Sequence, residues 1–201
     1  MKILLVVALT LLPLFAAQAD HNDPNFDEPN VLGLFFSGSE FSVVTNGIVS
    51  PPAPFNAYIV AFNPEVETLG GYEVGISMSD PTVLILSAVG PNDWANAGDG
   101  FNQIVRFETP LPVVDAAAVV CTIQMLYMDN GMVDICFGQA APQSIPGHDG
   151  PVLVDGDNLA NLIPCGSLYD ENQGGWVAVL NPDHGTPIQN GSFSQLKALF
   201  Y

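Results

Sequence analysis

The residues best suited to chemistry lie between positions 148 and 158. His148-Asp149-Gly150 is followed by Asp155-Gly156-Asp157-Asn158. Spaced Asp and Asn oxygens, with carbonyls from a Gly-rich loop, suit a hard cation that takes about six to eight oxygens. That points to Ca²⁺ held by Asp149, Asp155, Asp157 and Asn158. The ligand order and closing Glu of an EF-hand are missing. Asp-Gly pairs also make ordinary turns, so turn chemistry explains the same residues without a metal.

Other candidates are weaker. His21, His148 and His184 have no His or Cys partner at metal-ligand spacing. Cys165-Gly166-Ser167 faintly resembles a thiol-protease nucleophile segment but lacks the Cys-aromatic pair that follows it there. No nucleophile elbow and no phosphate-binding loop is present. Glu73 belongs to a strand pattern that turns its carboxylate to solvent, and nothing selects a second carboxylate to pair with it as a glycosidase acid and base. The sequence therefore assigns no catalytic residue, and calcium is the one cofactor it raises. Trp94 and Trp176 offer flat faces for a sugar ring, but their spacing does not show that they share a face, so core packing is the preferred reading. Asn190-Gly191-Ser192 fits a glycosylation acceptor.

Composition narrows the partners. The 201 residues hold 21 Asp and Glu against 3 Lys and Arg, a net charge of −18. Such a surface repels phosphate backbones, so nucleic acid is excluded as a partner. It also repels its own copies until cations screen it. Hydrophobic residues make up 48% of the chain, ample for a core, and 19 Gly with 17 Pro imply many turns and few long helices.

Residues 1–19 read as a secretory signal peptide: Lys2, an apolar run, then Ala17-Gln18-Ala19 before Asp20. Removing it leaves Arg106 and Lys197 as the cations. No later run is long enough to span a bilayer. Residues 20–30 read as an extended polar leader, residues 31–170 as the main domain, and residues 171–201 as a tail packed on it. Within the tail, residues 192–201 read as a short helix or a last strand.

The elements that must position any site are strands. Tyr72, Val74, Ile76 and Met78 alternate with Glu73, Gly75 and Ser77, which buries the first set and exposes the second. Asn63-Pro64, Gly70-Gly71 and Asp80-Pro81 punctuate residues 55–89, and the whole stretch reads as three successive strands. Further strands are expected at 31–37, 41–44, 101–108 (closed by Pro110 and Pro112), 151–154 and 175–180. Residues 113–127 could begin a helix at Ala116–Val120, but Val119, Cys121, Ile123, Met125 and Tyr127 keep strand spacing and the segment ends in Asp129-Asn130-Gly131, which favours a hairpin returning over 132–137. About eight to ten short strands in all predict an all-β, antiparallel sandwich.

That hairpin bears on the three cysteines. A two-residue turn at Asn130-Gly131 pairs Met125 with Cys136. Cys121 then lies roughly 13 Å away along the sheet, beyond disulfide reach. A bridge from Cys165 to either Cys136 or Cys121 is expected, with the third thiol buried as a small hydrophobe.

The segment NAYIVAFNPEVETLGGYEVGISMSDPTVLILSAV, with VVCTIQMLYMDNGMVDICFGQAAPQSIPG further on, resembles the cohesin-like and carbohydrate-binding β-sandwich domains of secreted bacterial proteins. The resemblance implies a jelly-roll or cohesin-like sandwich, an extracellular location, and non-catalytic binding or scaffolding. It transfers no functional residue. The sequence thus points to a secreted, non-enzymatic β-sandwich of a surface or matrix structure. Self-association through sheet edges or the leader, or contact with other extracellular proteins, would be its work. The alternative is a carbohydrate-binding module with glycan partners.

Overall fold

A computed structural model describes residues 28–36, 46–49, 52–91, 93–168 and 176–182. The signal-peptide residues, most of the leader, the stretch at 41–44, Asn190 and residues 192–201 lie outside them. Among the described residues no helix is long and apolar enough to cross a membrane.

In chain order the strands are β1 (Val31–Phe35), β2 (Asn46–Gly47), β3 (Pro54–Phe62), β4 (Thr68–Met78), β5 (Val83–Val89), β6 (Trp94–Asn96) and β7 (Asn102–Pro112). They continue as β8 (Ala117–Tyr127), β9 (Val133–Gly138), β10 (Val152–Asp155), β11 (Leu162–Pro164), β12 (Gly166–Ser167) and β13 (Ala178–Leu180). One sheet has the order β12-β1-β3-β8-β5. The other runs β11-β10-β4-β9-β13-β2, with β7 on β4 and β6 on β7. Pairing is antiparallel except for the short pairs β1–β12 and β13–β2.

β4 is the hub of the second sheet. Gly75 pairs with Asn102 of β7 and with Gly138 of β9, so these neighbours flank opposite edges. β10 shares the β9 edge, lying along the first half of β4. The alternation behaves as the sequence predicts on its apolar side: Tyr72, Val74 and Ile76 meet Ala57, Ile59, Ile123 and Met125 of the facing sheet in one buried cluster. Sandwich packing follows, because each sheet has one apolar face to remove from water.

Two expectations about strands need correction. β8 and β9 both form, but they do not pair: β8 lies between β3 and β5, and β9 between β4 and β13. Asn130-Gly131 carries the chain from one sheet to the other. Tyr127 and Val133 both enter the core, from opposite sheets, and the Tyr127 hydroxyl donates to the Gly131 carbonyl at 3.2 Å. A turn sequence specifies a local bend, whereas pairing follows from which faces can be buried together. The second correction is β7, which runs on through Pro110 to Pro112. The Val113 N–H donates to Glu67 O at 2.9 Å. By alternation the missing N–H groups of Pro110 and Pro112 therefore point away from β4, where β6 does not reach.

The expected disulfide is not formed; all three cysteines are free. Cys121 and Cys165 sit in the core. Cys136 pairs with exposed Ser77 and so faces outward, away from both.

Candidate functional site

The outward row of β4 is Gly71, Glu73, Gly75 and Ser77. Alternation places Glu73 on the solvent side, yet it is only 7% exposed. The reason is non-local. The chain between β9 and β10 crosses this face as a strap, tied down from beneath. Asn102 donates its amide Nδ2 to Ala141 O at 2.6 Å and accepts the Ala141 N–H on Oδ1 at 2.7 Å. Ser144 Oγ donates to Glu73 Oε1 at 2.5 Å. Within the strap, Gln143 donates to the His148 carbonyl. His148 Nε2 lies 2.8 Å from Pro151 O, and a carbonyl only accepts, so this nitrogen carries the proton. Gly75 makes the close approach possible, since a Cβ there would stand 2.3 Å from Gln139 O.

The outer face of this sheet carries two hollows. One, of about 430 Å³, has Glu73 and Arg106 among walls of Ile104, Val154, Leu159 and Leu162. Arg106 pairs with Gly71 and Ile104 with Glu73, so Arg106 and Glu73 are diagonal neighbours on adjacent strands. Arg106 is the only Lys or Arg among the described residues. The other hollow, of about 580 Å³, is more polar and is lined by Ser77, Asp99, Asn102, Gln139 and Asp149. Asp99 Oδ1 is already engaged there, accepting the Phe101 and Asn102 N–H groups at 2.8 Å each.

The structure disperses the residues singled out in the sequence. Asp149 belongs to the polar hollow. Asp155, Asp157 and Asn158 form the turn between β10 and β11. In that turn Asp155 accepts the Asp157 N–H at 2.9 Å, the Asn158 N–H at 3.3 Å and the Asn161 amide at 3.0 Å. These donors, Asn161 foremost, hold its carboxyl below the ordinary carboxylate range. That is turn chemistry, and among the described residues no three His, Cys, Asp or Glu side chains converge as a metal site.

Trp94 pairs with buried Phe107 and packs its ring over Gly90, on the core side of β6. Trp176 precedes β13. Four strand spacings, roughly 19 Å, separate β6 from β13, so the two rings do not form one platform.

The thiols are poor nucleophiles. Burial pushes Cys121 up to about 11 and raises Cys165 further still. Burial and then the charge of Asp134 raise Cys136. Each remains protonated at neutral pH. Tyr72, raised by burial, donates its hydroxyl to Gln103 Oε1 at 2.5 Å. Gln103 Nε2 donates on to Gly100 O at 3.1 Å, and this pair anchors the turn between β6 and β7. The residues missed in the sequence are Asn102 and Ser144. Their partners lie 39 and 71 positions away, so no local pattern marks them.

No family model matches the chain, and no curated protein matches it. Several solved structures are similar in fold. A type II cohesin domain from the cellulosome of Acetivibrio cellulolyticus covers 78% of this chain and 97% of its own, at 16% identity and a TM-score of 0.49. The OlpA cohesin of Clostridium thermocellum, solved in a type I cohesin–dockerin complex, covers 69% and 95% at 12% identity and a TM-score of 0.44. A ScaB cohesin of R. flavefaciens, solved with a group 1 dockerin, covers 70% and 92% at 8% identity and a TM-score of 0.44. Identity is low in each case and every TM-score is below 0.5.

Proposed function

We propose that this chain is a non-catalytic, secreted β-sandwich that works by docking to other proteins in a surface or matrix structure. The observation that carries the reading is the hollow beside the strap. It joins a nearly buried carboxylate, Glu73, to the one described cation, Arg106, and to the apolar walls of Val154, Leu159 and Leu162. Few polar groups set among apolar walls are what a protein side chain or an extended segment needs for orientation and burial. Protonated thiols and the dispersed carboxylates support a binding role over a catalytic one. The signal-like residues 1–19 and the strongly acidic composition support work outside the cell.

The test places a photo-crosslinking residue at Leu159 and exposes the chain to the proteins its source secretes. A defined crosslinked partner is expected, lost when Arg106→Glu reverses the only cation in the hollow. Crosslinking that Arg106→Glu leaves unchanged would remove the hollow from the interface. A glycan array separates the carbohydrate-binding reading: specific sugar binding, lost in Trp94→Ala or Trp176→Ala, would replace the docking proposal.

A further inference from the structure

The sheet ends are managed unequally. Among the described residues the terminal strands β2, β6, β11 and β12 are two or three residues long. Such stubs offer a neighbour almost no backbone to pair with. β5 is seven residues long and, among the described residues, pairs with β8 alone. Its sequence, VLILSAV, has no charge and no proline, in a chain of net charge −18. Leu84, Leu86 and Val89 on it are 45%, 47% and 58% exposed. A long, neutral, apolar edge is what soluble β-proteins ordinarily avoid unless another strand covers it.

The pattern along β5 identifies the covering strand. Leu84 pairs with Leu126, Ser87 with Gln124 and Val89 with Thr122, so these face outward. Val83, Ile85 and Ala88 pair with Tyr127, Met125 and Ile123, which are buried, so these face the core. The register shift between Ile85 and Ser87 leaves Leu86 as an extra residue. It also brings Leu84 and Val89, five positions apart, onto one face. About a point between Leu86 and Ser87 the facing pattern repeats in reverse on both flanks: Leu84 mirrors Val89, both outward, and Ile85 mirrors Ala88, both inward, while the central Leu86 and Ser87 differ in type. A foreign partner selected by charge would find nothing to read on it. A second copy finds its own pattern reversed.

We propose that β5 is a homotypic docking strand. It pairs antiparallel with β5 of a second copy about a two-fold axis between Leu86 and Ser87, setting Leu84 against the other copy's Val89. The proposal rests on the docking reading above and places a separate, self-directed contact on the opposite sheet. The contact is isologous and closes at a dimer, because the far end of the joined sheet is the two-residue β12. One strand pair is a small interface, below about 1,200 Å², so the dimer is weak. Asp80 and Asp93 flank the strand, and the pairing brings Asp80 toward Asp93 of the other copy. Salt therefore strengthens association by screening acid against acid.

Sedimentation velocity of the full secreted chain tests this, from about 1 to about 500 μM and in about 0.02 and about 0.5 M NaCl. A concentration-dependent dimer, tighter at high salt, is expected. Leu84→Glu and Val89→Glu should each weaken it at least about tenfold, while Val114→Glu, 62% exposed in the turn before β8 and bridged to Ala117, leaves it unchanged. Mixing Leu84→Cys with Val89→Cys copies under mild oxidant should give a crosslinked dimer that neither gives alone, since only the mixed pair is directly opposed. A monomer at every concentration and salt, or a dimer that Leu84→Glu does not weaken, would overturn the proposal. So would a foreign strand held on β5 of a monomer. Arg106→Glu should abolish the partner crosslink and spare the dimer, so either proposal can fail without the other.

Discussion

The outer face of the second sheet and the β5 end of the first are both outward-facing products of the same alternation, and they end differently. On the second sheet the chain between β9 and β10 comes back over β4, and Asn102, Ser144 and Glu73 tie it down. The result is a covered surface, tied down by side-chain hydrogen bonds, with a hollow on either side. On the first sheet Val31, Phe35, Val60 and Leu168 form a sealed apolar cluster over β1 and β3. Gly33 lets Leu168 lie there, since a Cβ would stand 2.8 Å from its Cδ2. At the other end of this sheet, no strand among the described residues covers the free edge of β5. Outward residues are thus fitted to whatever the chain lays over them, and the proposed β5 contact extends that rule to a second copy.

The largest expected effect comes from breaking the strap's closest contact. Gly75→Val places a branched side chain where Gln139 O already stands. A backbone oxygen cannot rotate aside, so β4 and the strap must separate. A loss of about 3–4 kcal/mol is expected in urea unfolding, with faster amide exchange across residues 139–150 than across β5. Equal effects on both regions would mean that the strap and the open edge are not separate units.

The core beneath both surfaces should respond to alkali. Cys121 is raised from 9.0 to about 11 by burial, and Cys165 and Tyr72 are raised the same way. Folding therefore favours their protonated forms. Their contribution is fully present below about pH 9, the ordinary thiol value, and is lost as pH climbs toward the folded values. Cys121 alone accounts for about 2–3 kcal/mol across that window. Urea midpoints should be flat from neutral pH to about pH 8.5 and then fall, and Cys121→Ala should soften the fall. An undiminished slope in that variant would assign the alkaline loss to other groups.

Next in size is Asn102→Ala. It removes both hydrogen bonds to Ala141 and leaves that N–H and carbonyl to find water, at about 2 kcal/mol. Ser144→Ala, which removes one donor from a carboxylate only 7% exposed, should cost about 1–2 kcal/mol. The order of these two variants reports whether the strap is held chiefly by Asn102 or by Glu73.

What the sequence makes legible follows the range of the interaction concerned. Alternation is local, so Tyr72, Val74 and Ile76 are recognisable as core from their spacing, and the strands of residues 55–89 with them. Pairing is not local. Asn130-Gly131 looks like a hairpin turn because its own dihedral preference is that of one, yet the strands it joins bury opposite faces of the sandwich. Glu73 reads as a solvent-facing carboxylate because its cover comes from Ser144, 71 positions on. Cys136 reads as a bridge candidate because outward and inward faces cannot be told apart until the sheet is assembled. The strand β5 is legible as VLILSAV. That it ends a sheet among the described residues is not, since an edge is defined by the absence of a neighbour.

The smallest expected effect on stability sharpens the comparison most. Leu84 is 45% exposed and its neighbour Leu126 is only half-buried, so Leu84→Glu removes little buried area from the folded monomer. Its unfolding free energy should stay within about 0.5 kcal/mol of the parent at low micromolar concentration. The same substitution should weaken self-association at least about tenfold, because two carboxylates then face apolar side chains across the two-fold axis. Val114→Glu, at 62% exposure, should do neither. If Leu84→Glu instead lowered monomer stability as Asn102→Ala does, β5 would be holding its own domain together and would belong with the strap. A change confined to association marks it as a surface whose missing half is another copy.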